Sequence, residues 1–247
     1  ASCAVLAGVL VGLPAGLLVP ALAAAAEAPV VIPAASFDTP KAAGPLQTAV
    51  LSGGCFWGMQ GVFEHLTGVR QVLSGYSGGA KNTASYEIVS EGRSGHAESV
   101  QITDDPQQVS YGQILQVYFS VATNPTQLNR QGPDVGSQYR GVIFYANDAQ
   151  KQVAERYIAQ LAKAGVYGAP IVTQLVPLQG FYPAEGYHQD YLLHNPTSPY
   201  IVYNDLPKIR NFQKLLPALY QTRAVTVTQL KQTAMSQMAM KQMAMKR

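Results

Sequence analysis

Thr48-Ala49-Val50-Leu51-Ser52-Gly53-Gly54-Cys55-Phe56-Trp57-Gly58 reads as a short apolar strand, a tight glycine turn and the mouth of a helix, with a thiol at the junction. Working outward, the helix is expected to run from Phe56 to about Leu66. Val69–Leu73 and Tyr86–Val89 read as strands, with a glycine-rich loop from Gly75 to Lys81 between them. Ala97 to Thr103 alternates, with Ala97, Ser99 and Gln101 on one face and Glu98, Val100 and Ile102 on the other. Ser110 is placed to cap a helix through Val121, whose apolar residues fall on one stripe. Gly141–Tyr145 reads as a strand, Asp148–Ala164 as a helix stopped by Gly165, and Ile171–Leu178 as a strand. Gln179 to Pro199 is dense in Tyr, Pro, Asn and Gly and reads mostly as coil, after which Asp205 is placed to cap a helix from Pro207 to about Leu215. Hairpin-like and crossover connections alternate along this order. The expected fold is therefore α+β, a two-layer α/β sandwich around a mixed sheet with a long C-terminal coil.

The 247 residues are 47% hydrophobic and 13% charged, an ordinary globular composition with room for a sizeable core. The net charge of +3 is unevenly placed. No acidic residue follows Asp205, whereas Lys208, Arg210, Lys214, Arg223, Lys231, Lys241, Lys246 and Arg247 do, so the body before them is slightly acidic. Spread over some forty residues, these charges are too dilute to argue for nucleic acid. Residues 1–26 carry the uncharged stretch Ala4 to Ala26 and read as a signal peptide cleaved around Ala23 to Ala28, or as an N-terminal anchor if uncleaved. Either way the body is expected to be exported, periplasmic or secreted. Residues 27–46, rich in Ala and Pro, read as a linker; 47–216 as the catalytic domain; and 217–247 as a basic, Met-rich, low-complexity tail containing QMAMK twice in tandem.

Chemistry concentrates at Cys55. A thiol at the start of a helix faces unpaired N–H groups and the positive end of the dipole, which together are expected to lower its pKa. Phe56 and Trp57, the chain's single tryptophan, are placed to wall an apolar slot beside it. Glu98 shares its strand face with Val100 and Ile102, so its carboxyl should be desolvated and its pKa raised, as a general acid requires. Two other readings use the same residues. Cys55, His188 and Asn195 stand in the order of a papain-like hydrolase, but the residues after Cys55 lack that family's local pattern. The four histidines and Cys55 have no metal-ligand spacing.

Gly54-Cys55-Phe56-Trp57-Gly58 resembles the active-site signature of the A-type peptide methionine sulfoxide reductases. Gly95-His96-Ala97-Glu98, Gln131 to Gly136, Gln138-Tyr139-Arg140, and Phe181 to Glu185 with Tyr187 to Tyr191 resemble further segments of that family in the expected order. The resemblance runs from about Val50 to Ile209 and implies reduction of methionine-S-sulfoxide, free or in proteins, with thiols as ultimate reductant. It casts Cys55 as nucleophile and Glu98 as acid. Tyr86 and Tyr139 become phenol donors to the sulfoxide oxygen, Asp134 a holder of that polar network, and Phe56 and Trp57 the seat of the substrate methyl group. It implies no bound cofactor, and as partners oxidised proteins and a thioredoxin-like or small-thiol reductant, with the enzyme acting as a monomer. The expected chemistry leaves Cys55 as a sulfenic acid. Many relatives then close a disulfide with a C-terminal cysteine, but residues 56–247 contain none. Three departures stand out: Gln60 where Glu is usual, Thr123-Asn124 where His-Asp is usual, and Gly186 in place of an acidic residue. Each is expected to loosen packing near the site.

Overall fold

The computed structural model describes residues 28–245; the expected signal peptide or anchor, 1–26, lies outside them. In chain order, β1 (Gln47–Ser52) leads into α1 (Phe56–Glu64), followed by β2 (Val69–Ser77), a single turn α2 (Tyr86–Val89), β3 (Ala97–Asp104) and α3 (Tyr111–Val117). A two-residue ribbon follows, β4 (Arg130–Gln131) with β5 (Asp134–Val135), then β6 (Val142–Tyr145), α4 (Asp148–Ala164), β7 (Gln174–Pro177) and β8 (Phe181–Pro183). The chain ends in α5 (Tyr191–His194), α6 (Leu206–Leu215) and α7 (Val227–Met245). Six strands form one mixed sheet in the order β7-β6-β1-β3-β2-β8, antiparallel except for the β6–β7 pair. The α+β class read from the sequence is the one observed.

Strand β3 shows why the sheet holds. Glu98, Val100 and Ile102 face the helices with the main core of Leu51, Phe63, Ile114 and Ile143. On the opposite face, Ala97 joins a smaller apolar cluster with Val50, Val142 and Phe144. Ser110 caps α3 as expected, and Gln113 returns the bond to the Ser110 N–H at 3.1 Å, a complete capping box. That helix loosens into a π-helical turn, Tyr118–Ala122, before the chain turns away.

Three expectations need correction. Tyr86–Val89 is helical rather than extended, because both edges of β2 are taken by β3 and β8, which leaves this segment no ladder to join. Part of the glycine-rich loop is strand, with Gly75 paired to Pro183 in β8, inside the stretch read as coil. Residues 28–46 have no helix or strand, yet they are a packed strap rather than a free linker. Ile32 is buried, Val30 exchanges bonds with Ser120 (its N–H to the Ser120 carbonyl at 3.0 Å, its carbonyl from the Ser120 hydroxyl at 2.7 Å), and Tyr157 donates to the Pro33 carbonyl at 2.7 Å. The strap forms because its few apolar side chains find a groove and its backbone finds partners.

The tail reading also shifts. From 217 the chain returns to α1, with Thr67 N–H bonding Leu219, Gln221 N–H bonding His65 and Val225 N–H bonding Glu64, before α7 begins. Asp190 holds the start of α7 by accepting from the N–H groups of Val227 (3.0 Å) and Thr228 (2.8 Å) and from the Thr228 hydroxyl (2.6 Å). Low complexity disguised a helix made of good helix formers, Ala, Met, Gln and Lys, with no Gly or Pro.

Gln189 pins the C-terminal coil under the sheet. Its amide oxygen accepts from Ser74 N–H at 2.9 Å, and its nitrogen donates to the carbonyls of Ser74 (2.9 Å) and Ala184 (3.1 Å). Gln189→Ala would leave buried backbone groups unpaired, so it should lower unfolding free energy by about 2–4 kcal/mol in denaturant titration.

Candidate active site

The site grows from the turn between β1 and α1. Gly54 has φ +97°, a conformation that side-chain-bearing residues avoid, and it swings the chain so that Cys55 falls at the N-terminus of α1. Cys55 is buried, 7% exposed. Glu98, opposite on β3, accepts the Phe56 N–H at 3.0 Å and so occupies the open end of that helix. Burial pushes the Glu98 carboxyl up to about 8, against the pull of the Phe56 hydrogen bond, with the negative charges of Asp134 and Asp205 adding to the rise. At neutral pH it is a protonated acid, as the strand face predicted.

Cys55 departs from expectation. Its pKa lies well above, not below, that of a free thiol: burial is the main cause, followed by the charges of Glu98 and Asp205. The helix end does act in the expected direction through the Trp57 N–H, but it is outweighed. With burial and acidic groups on several sides, the resting group is a thiol.

Around this pair stand the other expected residues. Tyr86 and Tyr139 are half-buried, and burial together with the charge of Glu98 raises both phenols, keeping them protonated and able to donate. Asp134, on β5, accepts the hydroxyl of Tyr200. Trp57 stacks on Tyr191, with ring centroids 3.7 Å apart and planes 12° apart, and its indole N–H donates to His188 Nδ1 at 3.1 Å. Phe56 differs from its neighbour: its ring is buried between Tyr76 and His188, so of the two aromatics only Trp57 offers substantial surface.

Several motif residues prove to be scaffold. Arg140 donates to the carbonyls of Gly95 (2.9 Å), His96 (3.1 Å) and Ser137 (2.7 Å), locking the approach to β3 and hence Glu98. Glu185 accepts the Tyr76 hydroxyl (2.8 Å) and the Tyr86 N–H (2.9 Å), which orients the turn that carries Tyr86.

Two groups at the site were not read from the sequence. Tyr200 is one of fourteen tyrosines and had no distinguishing signal. Asp205 was read as a helix cap. It stands at the N-cap of α6 but makes no capping bond; fully buried, it packs over Gly58, where any Cβ would collide with its carboxylate. Both Asp205 oxygens lack a hydrogen-bond partner, and burial raises its pKa to about 7.

The three departures loosen little. Gln60 is buried, donating to the Val72 carbonyl at 3.0 Å and accepting from the Ser74 hydroxyl and Asp190 N–H, each at 3.0 Å. Asn124 caps its own turn by accepting from the N–H (3.0 Å) and hydroxyl (2.7 Å) of Thr126. Thr123 packs against Gly53 with its hydroxyl unpartnered, the one cost among these positions. Gly186 faces open space.

The hydrolase arrangement does not form. An indole nitrogen only donates, so the Trp57 bond leaves His188 Nδ1 without a proton, and the other ring nitrogen has no hydrogen-bond partner. Asn195 bonds the Tyr191 carbonyl instead. Among the described residues, no group of three or more His, Cys, Asp and Glu side chains is placed to hold a metal ion.

The family model described as peptide methionine sulfoxide reductase matches residues 47–218. The peptide methionine sulfoxide reductase MsrA 2 of Mesorhizobium japonicum is 63% identical over 187 residues, covering 76% of this chain and 96% of that protein. The protein of the same description from Synechocystis is 50% identical over 168 residues, covering 68% of this chain and 78% of that one. Among solved structures, methionine sulfoxide reductase A of Corynebacterium diphtheriae superposes with a TM-score of 0.53 at 33% identity, covering 64% of this chain and 79% of that one. Sequence, fold and the thiol–carboxyl pair thus converge on one assignment: the chain belongs to the A-type peptide methionine sulfoxide reductases and is a peptide-methionine (S)-S-oxide reductase.

Proposed function

We propose that Cys55 and Glu98 carry the reduction together and that Cys55 is then restored by thiols from outside the chain. The supporting observation is the protonated Glu98 carboxyl held against the helix end that bears Cys55. The sulfoxide oxygen lies among the Glu98 acid and the Tyr86 and Tyr139 hydroxyls, while the substrate's S-methyl group rests against Trp57, the more exposed member of the aromatic pair. Donors preset around the oxygen make the attached sulfur electrophilic. The Cys55 sulfur attacks it, the oxygen takes the proton of Glu98, and the thiol proton returns to the carboxylate. Methionine departs and Cys55 keeps the hydroxyl as a sulfenic acid. One thiol then forms a mixed disulfide with Cys55, releasing water, and a second thiol frees Cys55 and leaves as a disulfide. A thioredoxin-like protein or a small thiol meets that requirement, since residues 56–247 offer no second cysteine and the chain's other one, Cys3, lies in the expected signal peptide.

Asp205 sets the pH range of this chemistry. Its negative charge helps raise both Glu98 and Cys55. Asp205→Asn removes that charge, so the Glu98 carboxyl ionises more easily and the alkaline fall in kcat/KM should move to lower pH. An unmoved profile would remove Asp205 from the proton inventory. The mature enzyme acts outside the cytoplasm as a monomer repairing oxidised proteins; the support for export is the uncharged stretch Ala4 to Ala26. No described helix is long and apolar enough to cross a membrane.

The direct test is mass spectrometry of the protein after one turnover without reductant. Cys55 should carry one added oxygen, recovered as thiol by dithiothreitol or thioredoxin. An unmodified Cys55 after stoichiometric release of methionine would overturn the mechanism.

A further inference from the structure

The Met-rich end of the chain has no part in the site just described, and its placement is specific. Of the six methionines, Met59 is 1% exposed inside the core. Met235, Met238 and Met240 on α7 are 71%, 65% and 62% exposed. The base of the helix is fixed: Asp190 holds its first N–H groups, and Leu230 and Ala234 line a shallow cavity of about 490 Å³ with Leu73, Pro183 and Ala184 of the body. Beyond Ala234, Met235, Met238 and Met240 are exposed, and Lys241 is the one charged residue between Met235 and Met245 in the sequence. A helix advances about 1.5 Å per residue, so Met235 to Met240 lie roughly 12–20 Å along the axis from Val227. Among the methionines whose side chains are described, these three are open to a peroxide-type oxidant, whereas Met59 is shielded.

We infer that α7 is a methionine arm that takes up oxidant, and that its sulfoxides are substrates for the catalytic sites of other copies of the same chain. This rests on the activity assigned above. Hydrogen peroxide transfers one oxygen to a methionine sulfur and leaves as water, giving a sulfoxide. A second copy inserts that side chain at Cys55, which takes the oxygen as sulfenic acid, and two external thiols restore Cys55 while leaving as a disulfide with water. The reaction runs between molecules because Met235, Met238 and Met240 stand exposed rather than seated at their own Cys55, and the helix that carries them runs unbroken from a fixed base without Gly or Pro to hinge on. The arm therefore couples oxidant removal to thiol consumption without loss of protein.

The experiment uses full-length Cys55→Ser protein, which cannot repair itself, oxidised with hydrogen peroxide and mapped by peptide mass spectrometry. Sulfoxide should accumulate at Met235, Met238 and Met240 ahead of Met59. Wild-type enzyme added at a one-hundredth molar ratio with dithiothreitol should then restore roughly half of the sulfoxide at each arm position, because peroxide makes both epimers and this enzyme reduces one. Free methionine-S-sulfoxide serves as the reference substrate. If it is reduced at the normal rate while the arm sulfoxides persist, the inference fails and the enzyme assignment stands; if neither is reduced, the assignment itself fails. Oxidation of Met59 before the arm would also overturn the inference.

Discussion

Cys55→Ser protein should lose reduction of methionine-S-sulfoxide by on the order of 10⁴-fold or more, the scale seen when a covalent nucleophile is removed. The chemistry requires a soft, polarisable atom that attacks sulfur and then holds the oxygen, and a serine hydroxyl does neither at neutral pH. The site makes the demand sharper, since burial and the acidic groups around Cys55 oppose any anion there. A hydroxyl, far harder to ionise than a thiol, would be more strongly suppressed. Fold and binding should survive, because Ser is close in volume to Cys and the position packs without a disulfide. The check is steady-state turnover with dithiothreitol, alongside thermal melting and substrate binding by calorimetry. Retention of more than a few per cent of kcat in a fully folded, fully substituted preparation would sink Cys55 as the nucleophile.

Glu98→Gln should lower kcat by about 10²–10⁴-fold, the usual worth of a positioned general acid. The amide keeps the shape and can still accept the Phe56 N–H, so the loss reports the proton rather than the packing. The wild-type rate should hold below about pH 8 and fall above it, as Glu98 loses the proton it must deliver. The variant should lack that limb. Stability moves the other way. The folded carboxyl titrates above its unfolded value near 4.3, so its contribution is complete below that value and is lost as pH rises through about 8. Glu98→Gln protein, which never ionises there, should therefore melt above the wild type at pH 9. A wild-type kcat in this variant, or an unaltered alkaline limb, would assign the proton to another group.

The strand–turn–helix around Cys55, the two-faced β3, the Ser110 cap and the α4 helix were all legible, because each is written in local periodicity and capping chemistry. The site was legible for the same reason where a motif or a strand face carried it: Cys55, Trp57 and Glu98 come together as expected. Tyr86 was placed by resemblance but on the wrong element, since occupancy of both β2 edges is a property of the finished sheet. Tyr200 and Asp205 escaped notice because nothing nearby in sequence marks them. They reach the site at the two ends of the π-helical turn Ile201–Asp205 that leads into α6, more than 140 residues beyond Cys55 along the chain.

By itself, the sequence determined the α+β class, the thiol at a helix mouth and the buried carboxyl that faces it, because spacing and hydrophobic alternation act over a few residues. Tertiary structure alone decided the charge state of that thiol. A helix N-terminus favours an anion at short range, but burial strips the water that would solvate the thiolate, and the carboxyls of Glu98, Asp205 and Asp134, arriving from three distant segments, oppose it further. At Cys55 the helix end favours the anion and the assembled interior disfavours it, and desolvation makes the interior prevail.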